Sequence, residues 1–272
     1  MNTPQDADAY YRDLTERNRG LIPDEVQQRL RTSKVLVAGC GSTGGAAIEP
    51  LARLGLGAFV LTEPGEYELN NLNRQSANRA DIGRNKAEVG ADRVRAIHPF
   101  AEVTVDTGGV QADNAALLLD GVDVVVDGVD VTTVKGWQAK YTLHAEASRL
   151  GVPVVSGYDM SGTQHIRYYD YRIPQEPLAG EVTEKDLAQE TLWDLLLKVI
   201  PRSIVPADLI ADIVAHRGEV EYSVPQLVYA SHLFGVLASR YVVEVLAGNP
   251  VRGELTVDVH SLVTPQSQKE LR

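Results

Sequence analysis

The sequence predicts an α/β fold: a mostly parallel sheet with helices on both faces, followed by a mainly helical C-terminal extension. Three observations predict it. Short, near-continuous apolar runs at 34–38, 58–62, 123–126 and 153–155 alternate with segments of helical spacing, the pattern of buried parallel strands joined by crossover helices. A glycine-rich turn, Gly39-Cys40-Gly41-Ser42-Thr43-Gly44-Gly45, joins the first run to a helical stretch of small residues. Beyond about Tyr171 the alternation stops, and Pro174, Pro177, Gly180, Pro201 and Pro206 punctuate short helical pieces.

Taken in order, 6–32 is polar with helical spacing, and Pro23-Asp24-Glu25 is a helix start, so two short helices are expected there. The strand 34–38, the glycine turn, a helix to Leu54 and the strand 58–62 form one βαβ unit. Helices are expected at 86–97, 114–119 and 134–150, with strands at 102–105, 123–126 and 153–155 between and after them. One long helix is expected from a Ser223 cap, with Pro225 near its first turn, to Leu246 and Gly248, and then an extended segment from Glu254 to Val263. The chain therefore divides into an N-terminal helical segment (1–33), a nucleotide-binding domain (34–172) and a mainly helical region (173–272).

Composition narrows the function. With 272 residues and 44% hydrophobic content the chain can bury a full core. Its formal net charge is −11 and its 26 lysines and arginines are scattered, which argues against nucleic acid as the main partner. The apolar runs at 195–200 and 233–246 are broken by charges or too short to span a bilayer, so no membrane segment is expected. A single cysteine, Cys40, excludes an internal disulfide and a Cys-rich zinc site, and the polar N-terminal stretch reads as cytoplasmic.

Gly39, Gly41 and Gly44 stand in Gly-x-Gly-x-x-Gly order directly after a strand and before a helix. There the backbone of the loop, with Ser42 and Thr43, approaches a polyphosphate, and the helix N-terminus favours its charge. Glu63, at the end of the second strand about 20 residues on, suits ribose hydroxyls. The motif alone leaves NAD, FAD, S-adenosylmethionine and ATP open.

The stretch Asn70-Asn71-Leu72-Asn73-Arg74-Gln75, with Gly83-Arg84-Asn85-Lys86 and Val126-Asp127-Gly128-Val129-Asp130, resembles the ThiF-type adenylyltransferases. That family includes thiamine and molybdopterin biosynthesis enzymes and the adenylation domains of ubiquitin-activating enzymes. The resemblance runs from Arg17-Asn18-Arg19 to about Ser156. It implies that Arg74 and Lys86 contact ATP phosphates beside Asn71 and Gln75, that Asp130 holds Mg²⁺, and that Arg19 reaches into a neighbour's site in a homodimer. The chemistry is consistent with this, because carboxylate attack on the α-phosphate brings negative charges together and needs cations placed in advance. Asp130 stands at the ligand edge of a parallel strand; Asp127 is the alternative metal ligand.

The sequence departs from the family in two places. An Asp-x-Asp after the second strand becomes Glu63-Pro64-Gly65, and Asp-Asn-x-x-x-Arg becomes Asp130-Val131-Thr132-Thr133-Val134-Lys135. No cysteine lies in the second half, where family members that transfer acyl groups to their own thiol carry one. Cys40 reads as a small packing residue, and His144, His165 and His232 as packed or surface histidines. The expected reaction is ATP-dependent activation of a carboxylate, the C-terminus of a small protein or peptide or a small-molecule acid, without a catalytic cysteine. The competing readings are a nicotinamide- or flavin-dependent oxidoreductase and an inactive binding scaffold.

Overall fold

The computed structural model describes residues 6–216 and 222–264. In chain order the elements are α1 (Ala7–Thr15), α2 (Asp24–Thr32), β1 (Lys34–Ala38), α3 (Thr43–Arg53), β2 (Ala58–Thr62), α4 (Lys86–Ile97), β3 (Glu102–Asp106), α5 (Ala115–Leu118) and β4 (Val124–Asp127). They continue with α6 (Val134–Leu150), β5 (Val154–Met160), β6 (Thr163–Tyr169), α7 (Glu184–Gln189), α8 (Leu192–Val199), α9 (Ala207–Ala215), α10 (Val228–Ala247), β7 (Glu254–Asp258) and α11 (Val259–Val263).

One seven-stranded sheet has the order β3-β2-β1-β4-β5-β6-β7. It is parallel through β5, and β6 and β7 add antiparallel pairings at one edge. Val35 to Ala38 and Val124 to Val126 are fully buried in the two central strands. Burial of each such valine or leucine contributes about 1.5–3 kcal/mol. From β1 the chain moves outward to β2 and β3, then returns to the other side at β4. A crevice therefore opens at the C-terminal ends of β1 and β4, where open α/β sheets bind ligands.

One core layer joins α2, α3, α4 and α10 to one face of the sheet, and the other layer is covered by α5, α6 and the 178–209 region. Helix α10 has the length and apolar composition of a membrane span, yet more than half of its apolar window is buried inside the protein. It packs so closely on α3 that a Cβ on Gly235 would strike the Ala46 carbonyl.

Three expectations are corrected. The long helix begins at Val228, not at a Ser223 cap. Pro225 disfavours helical backbone at Val224, Gln226 bridges to Ser161, and the Gln226 carbonyl accepts a hydrogen bond from Asn73 Nδ2 at 3.1 Å. The strand begun at Val154 runs on to Met160 and turns into β6, which was not foreseen. The terminal extended segment is a strand only to Asp258, whose side chain caps α11.

Candidate active site

The glycine turn is shaped by close backbone approach. Gly39 has φ +82°, and a Cβ there would strike the Gly128 carbonyl; one on Gly44 would strike the Gly39 carbonyl. The end of β1 is thus seated against Gly128 at the end of β4. Gly41 differs, because an added Cβ would meet only the Gln75 amide at ordinary contact distance. Packing does not require glycine at this position; the open space faces the crevice.

Helix α3 starts here, and Ser42, its N-terminal flanking residue, makes no side-chain cap. The first amides of α3 are left for an anion. The Ser42 hydroxyl instead donates to Asp159 Oδ2 at 2.9 Å, while the buried Ser231 hydroxyl of α10 donates to the Ser42 carbonyl at 2.5 Å. The C-terminal helix therefore braces the loop. Cys40 is fully buried, and burial, aided by the Glu63 charge, pushes its thiol well above the usual range. It is a packing residue without thiolate character.

Glu63 folds back on the loop: Oε2 accepts from the Cys40 amide at 3.0 Å and Oε1 from the Gly65 amide at 2.8 Å. A Cβ on Gly65 would meet that Oε1 at 2.9 Å, a contact the flexible Glu63 side chain can relieve, so packing alone does not explain glycine where the family has a second acid. Asn85 donates to the Glu63 carbonyl at 2.8 Å and caps α4, so that Lys86 opens the helix beside Gly65. Lys86 lies over the Tyr67 ring at 5.8 Å, is half-buried, and makes no ion pair with any described residue.

The 3-10 turn Leu69–Asn73 aims Arg74. Asn71 is buried within it: its Oδ1 accepts from the Glu68 amide at 3.1 Å, and its carbonyl accepts from the amides of Arg74 and Gln75. Arg74 Nη1 is anchored on the Asn70 carbonyl at 3.1 Å and Asn73 Oδ1 at 2.8 Å, but Nε is buried without a partner, as is Gln75 Oε1 beside Gly41. Burial weakens the hold of Arg74 on its proton, against the opposing charges of Asp159 and Asp130.

Asp130 is exposed at the end of the β4 turn, where Oδ1 accepts from the Thr132 amide and hydroxyl, both at 2.8 Å. Asp127 is fully buried and committed elsewhere. It pairs with the ammonium of Lys140, accepts from the Ser156 hydroxyl at 2.5 Å and contacts His144 Nε2 at 3.1 Å. Between these two acids, only Asp130 is accessible to a metal. Among the described residues no group of three or more His, Cys, Asp or Glu side chains could hold a metal ion.

The structure thus brings together Gly39, Gly41, Ser42, Thr43, Gly44, Glu63, Asn71, Arg74, Gln75, Lys86 and Asp130. Arg19 stands apart. The Asn18 amide group and Thr15 lie against Leu54 and Gly55, ahead of β2, and Arg19 is exposed and, among the described residues, paired only with Glu16 at 3.6 Å. The glycine loop is at the other end of the strands, roughly 17 Å away for a five-residue strand.

Asp159, at the end of β5, was missed. An acid near the end of a strand is the available signal, masked in the sequence because Ser156-Gly157 interrupt the apolar run after Val155. Its carboxyl is pushed up by burial, against the hydroxyls of Ser42 and Thr43 and the Arg74 charge.

The family model described as "ThiF family" matches residues 15–192. The chain belongs to the ThiF family. It is 34% identical over 171 residues to the tRNA threonylcarbamoyladenosine dehydratase of Escherichia coli K12, covering 61% of this chain and 62% of that protein. It is 34% identical over 98 residues to the sulfur carrier protein ThiS adenylyltransferase of the same organism, covering 34% and 39%. The chain thus spans less than two thirds of the length of these relatives. The E. coli dehydratase solved in complex with ATP superposes with a TM-score of 0.64 at 24% identity, over 91% of this chain and 98% of that one, a likeness of fold.

Proposed function

We propose that this ThiF-family protein is an ATP-dependent adenylyltransferase that activates a carboxylate as an acyl-adenylate, releases pyrophosphate and uses no cysteine of its own. The observation that carries the reading is the convergence of two half-buried cations, Arg74 and Lys86, neither in an ion pair with a described residue, on an uncapped helix N-terminus and the open face of Gly41. Burying positive charge in this way is unfavourable unless an anion completes the site. A carboxylate oxygen forms a bond to the α-phosphorus as the bond to pyrophosphate breaks, and the two cations lower the cost of the charge gathered there.

Relatives named as a sulfur carrier protein ThiS adenylyltransferase and as a SAMP-activating enzyme E1 support this class of reaction. The acid in this reading is the C-terminus of a small protein or peptide, or a small-molecule acid. Asp130 would hold Mg²⁺, which supplies charge neutralisation on the phosphates; one protein carboxylate suits an ion that takes its other ligands from phosphate and water. Calorimetry should give binding of ATP with Mg²⁺ in preference to NAD. Tight NAD binding with no ATP binding would overturn the reading in favour of an oxidoreductase.

The remote position of Arg19 supports a homodimer in which this residue completes a neighbour's site. Mixed Arg19→Ala and Asp130→Ala protomers, each inactive alone, should then recover roughly a quarter of wild-type activity, because about half of the randomly paired dimers are hybrids and each hybrid holds one intact site of two. No recovery despite proven subunit exchange would remove Arg19 from the partner's site.

A further inference from the structure

Arg74 Nε and Asp159 Oδ1, at the mouth of the crevice, are both buried and without a hydrogen-bond partner. Each group is anchored at its other end, Arg74 by Asn70 and Asn73, and Asp159 by the Ser42 hydroxyl. The Thr43 hydroxyl is near enough to act on the Asp159 carboxylate without closing a bond to Oδ1. The charges of Arg74 and Asp159 act on one another. One buried donor and one buried acceptor, on side chains close enough for their charges to interact, are thus left unsatisfied by the described residues, and such orphans call for a partner that a bound ligand can supply.

Oxygens of an acyl-adenylate would serve Arg74. The donor for Asp159 must come from elsewhere in the ligand, and the polyphosphate has none. Adenine is ruled out by position, since ribose belongs at the end of β2 and β5 is three strands from β2, roughly 14 Å. The donor is carried by the acid. Without such a donor a carboxylate here would repel the incoming substrate carboxylate, which makes Asp159 a poor residue for a site that accepts plain organic acids.

We propose that Asp159 is a specificity-determining residue that accepts a hydrogen bond from an N–H group on the carbon next to the activated carboxyl, selecting amino acids or peptide C-termini over acids without nitrogen there. This rests on the adenylation reading above. A donor at Oδ1 also counters the burial that pushes the Asp159 carboxyl up.

The test uses stable acyl-sulfamoyl adenosines, which need no turnover: N-acetylglycyl, its N-methylated twin, glycyl and butanoyl, each titrated calorimetrically into wild type, Asp159→Ala and Asp159→Asn. Wild type should bind the N-acetylglycyl compound about tenfold or more tightly than its N-methyl twin, the scale of a hydrogen bond to a charged acceptor. In Asp159→Ala the ratio should fall to within about twofold, and since it is a ratio, any general loss of affinity cancels. Asp159→Asn should keep part of the amide preference and lose any extra preference for the glycyl ammonium, and the glycyl arm separates free amino acids from peptide ends. Equal binding of the twins by wild type, or a gap that persists in Asp159→Ala, overturns the assignment while leaving adenylation standing. Failure of folded wild type to bind any of the four compounds, or ATP, overturns the adenylation reading and this proposal with it.

Discussion

Replacing Arg74 or Lys86 with alanine is expected to cut the rate of ATP–pyrophosphate exchange by about 10²-fold or more, the scale for losing one preorganised electrostatic contact. The effect should fall mainly on turnover, with a smaller change in the KM for ATP, because charge on the leaving pyrophosphate develops in the transition state. Arg74 is held in place before any ligand arrives, by the Asn70 carbonyl and Asn73 Oδ1. Arg74→Lys should therefore recover little: an ammonium has no planar fork with which to keep those anchors while offering Nε. Lys86→Arg should recover more, since Lys86 makes no ion pair with any described residue and projects from the first turn of α4 as a point charge. Unchanged exchange kinetics in both alanine variants would remove the two residues from the site.

The parts of the fold legible in the sequence are those where one physical signal dominates. β1 and β2 are buried on both faces and read as unbroken apolar runs, and Gly39 and Gly44 of the turn are required by close backbone contact with the Gly128 and Gly39 carbonyls. β5 was cut short because Ser156 and Gly157 interrupt its run. The structure explains both: Ser156 is buried against Asp127, and a Cβ on Gly157 would strike the Phe234 ring of α10. Such reasons depend on residues distant in sequence, which periodicity cannot register. The same limit applies to the site. That Glu63 and Asn71 hold backbone amides follows from tertiary placement, whereas the preference for Asp130 over Asp127 was legible from its place at the ligand edge of the sheet and agrees with its exposure. The unusual chemistry of α6 was equally hidden, since lysine is almost never fully buried unless paired, and the partner of Lys140 lies on β4.

That pair carries the largest stability effect expected in the protein. Lys140 and Asp127 are both fully buried, and Asp127 Oδ1 also accepts from the Val129 amide at 3.1 Å, so the pair holds the turn that presents Asp130. Burial pushes the Asp127 carboxyl up, but the Lys140 ammonium and the His144 hydrogen bond outweigh it and hold the carboxyl well below its usual range. Lys140→Met leaves an uncompensated buried carboxylate and should destabilise the protein by about 3–5 kcal/mol near pH 8. Asp127→Asn with Lys140→Met removes both charges and should restore much of that loss. In wild type, burial lowers the His144 pKa, so the unfolded chain binds more protons there and stability falls as pH drops below about 6.5. With Lys140 gone, the bare Asp127 charge favours the imidazolium and should raise the folded His144 pKa. Protonated His144 then replaces the missing cation, and stability from this source is present at low pH and lost as pH rises through the raised value. Urea unfolding at pH 8 and pH 5.5 should therefore show a smaller penalty for Lys140→Met at the lower pH. A penalty that is independent of pH, or a double variant no more stable than the single one, would mean that the cost comes from lost packing around the lysine stem and not from the stranded carboxylate.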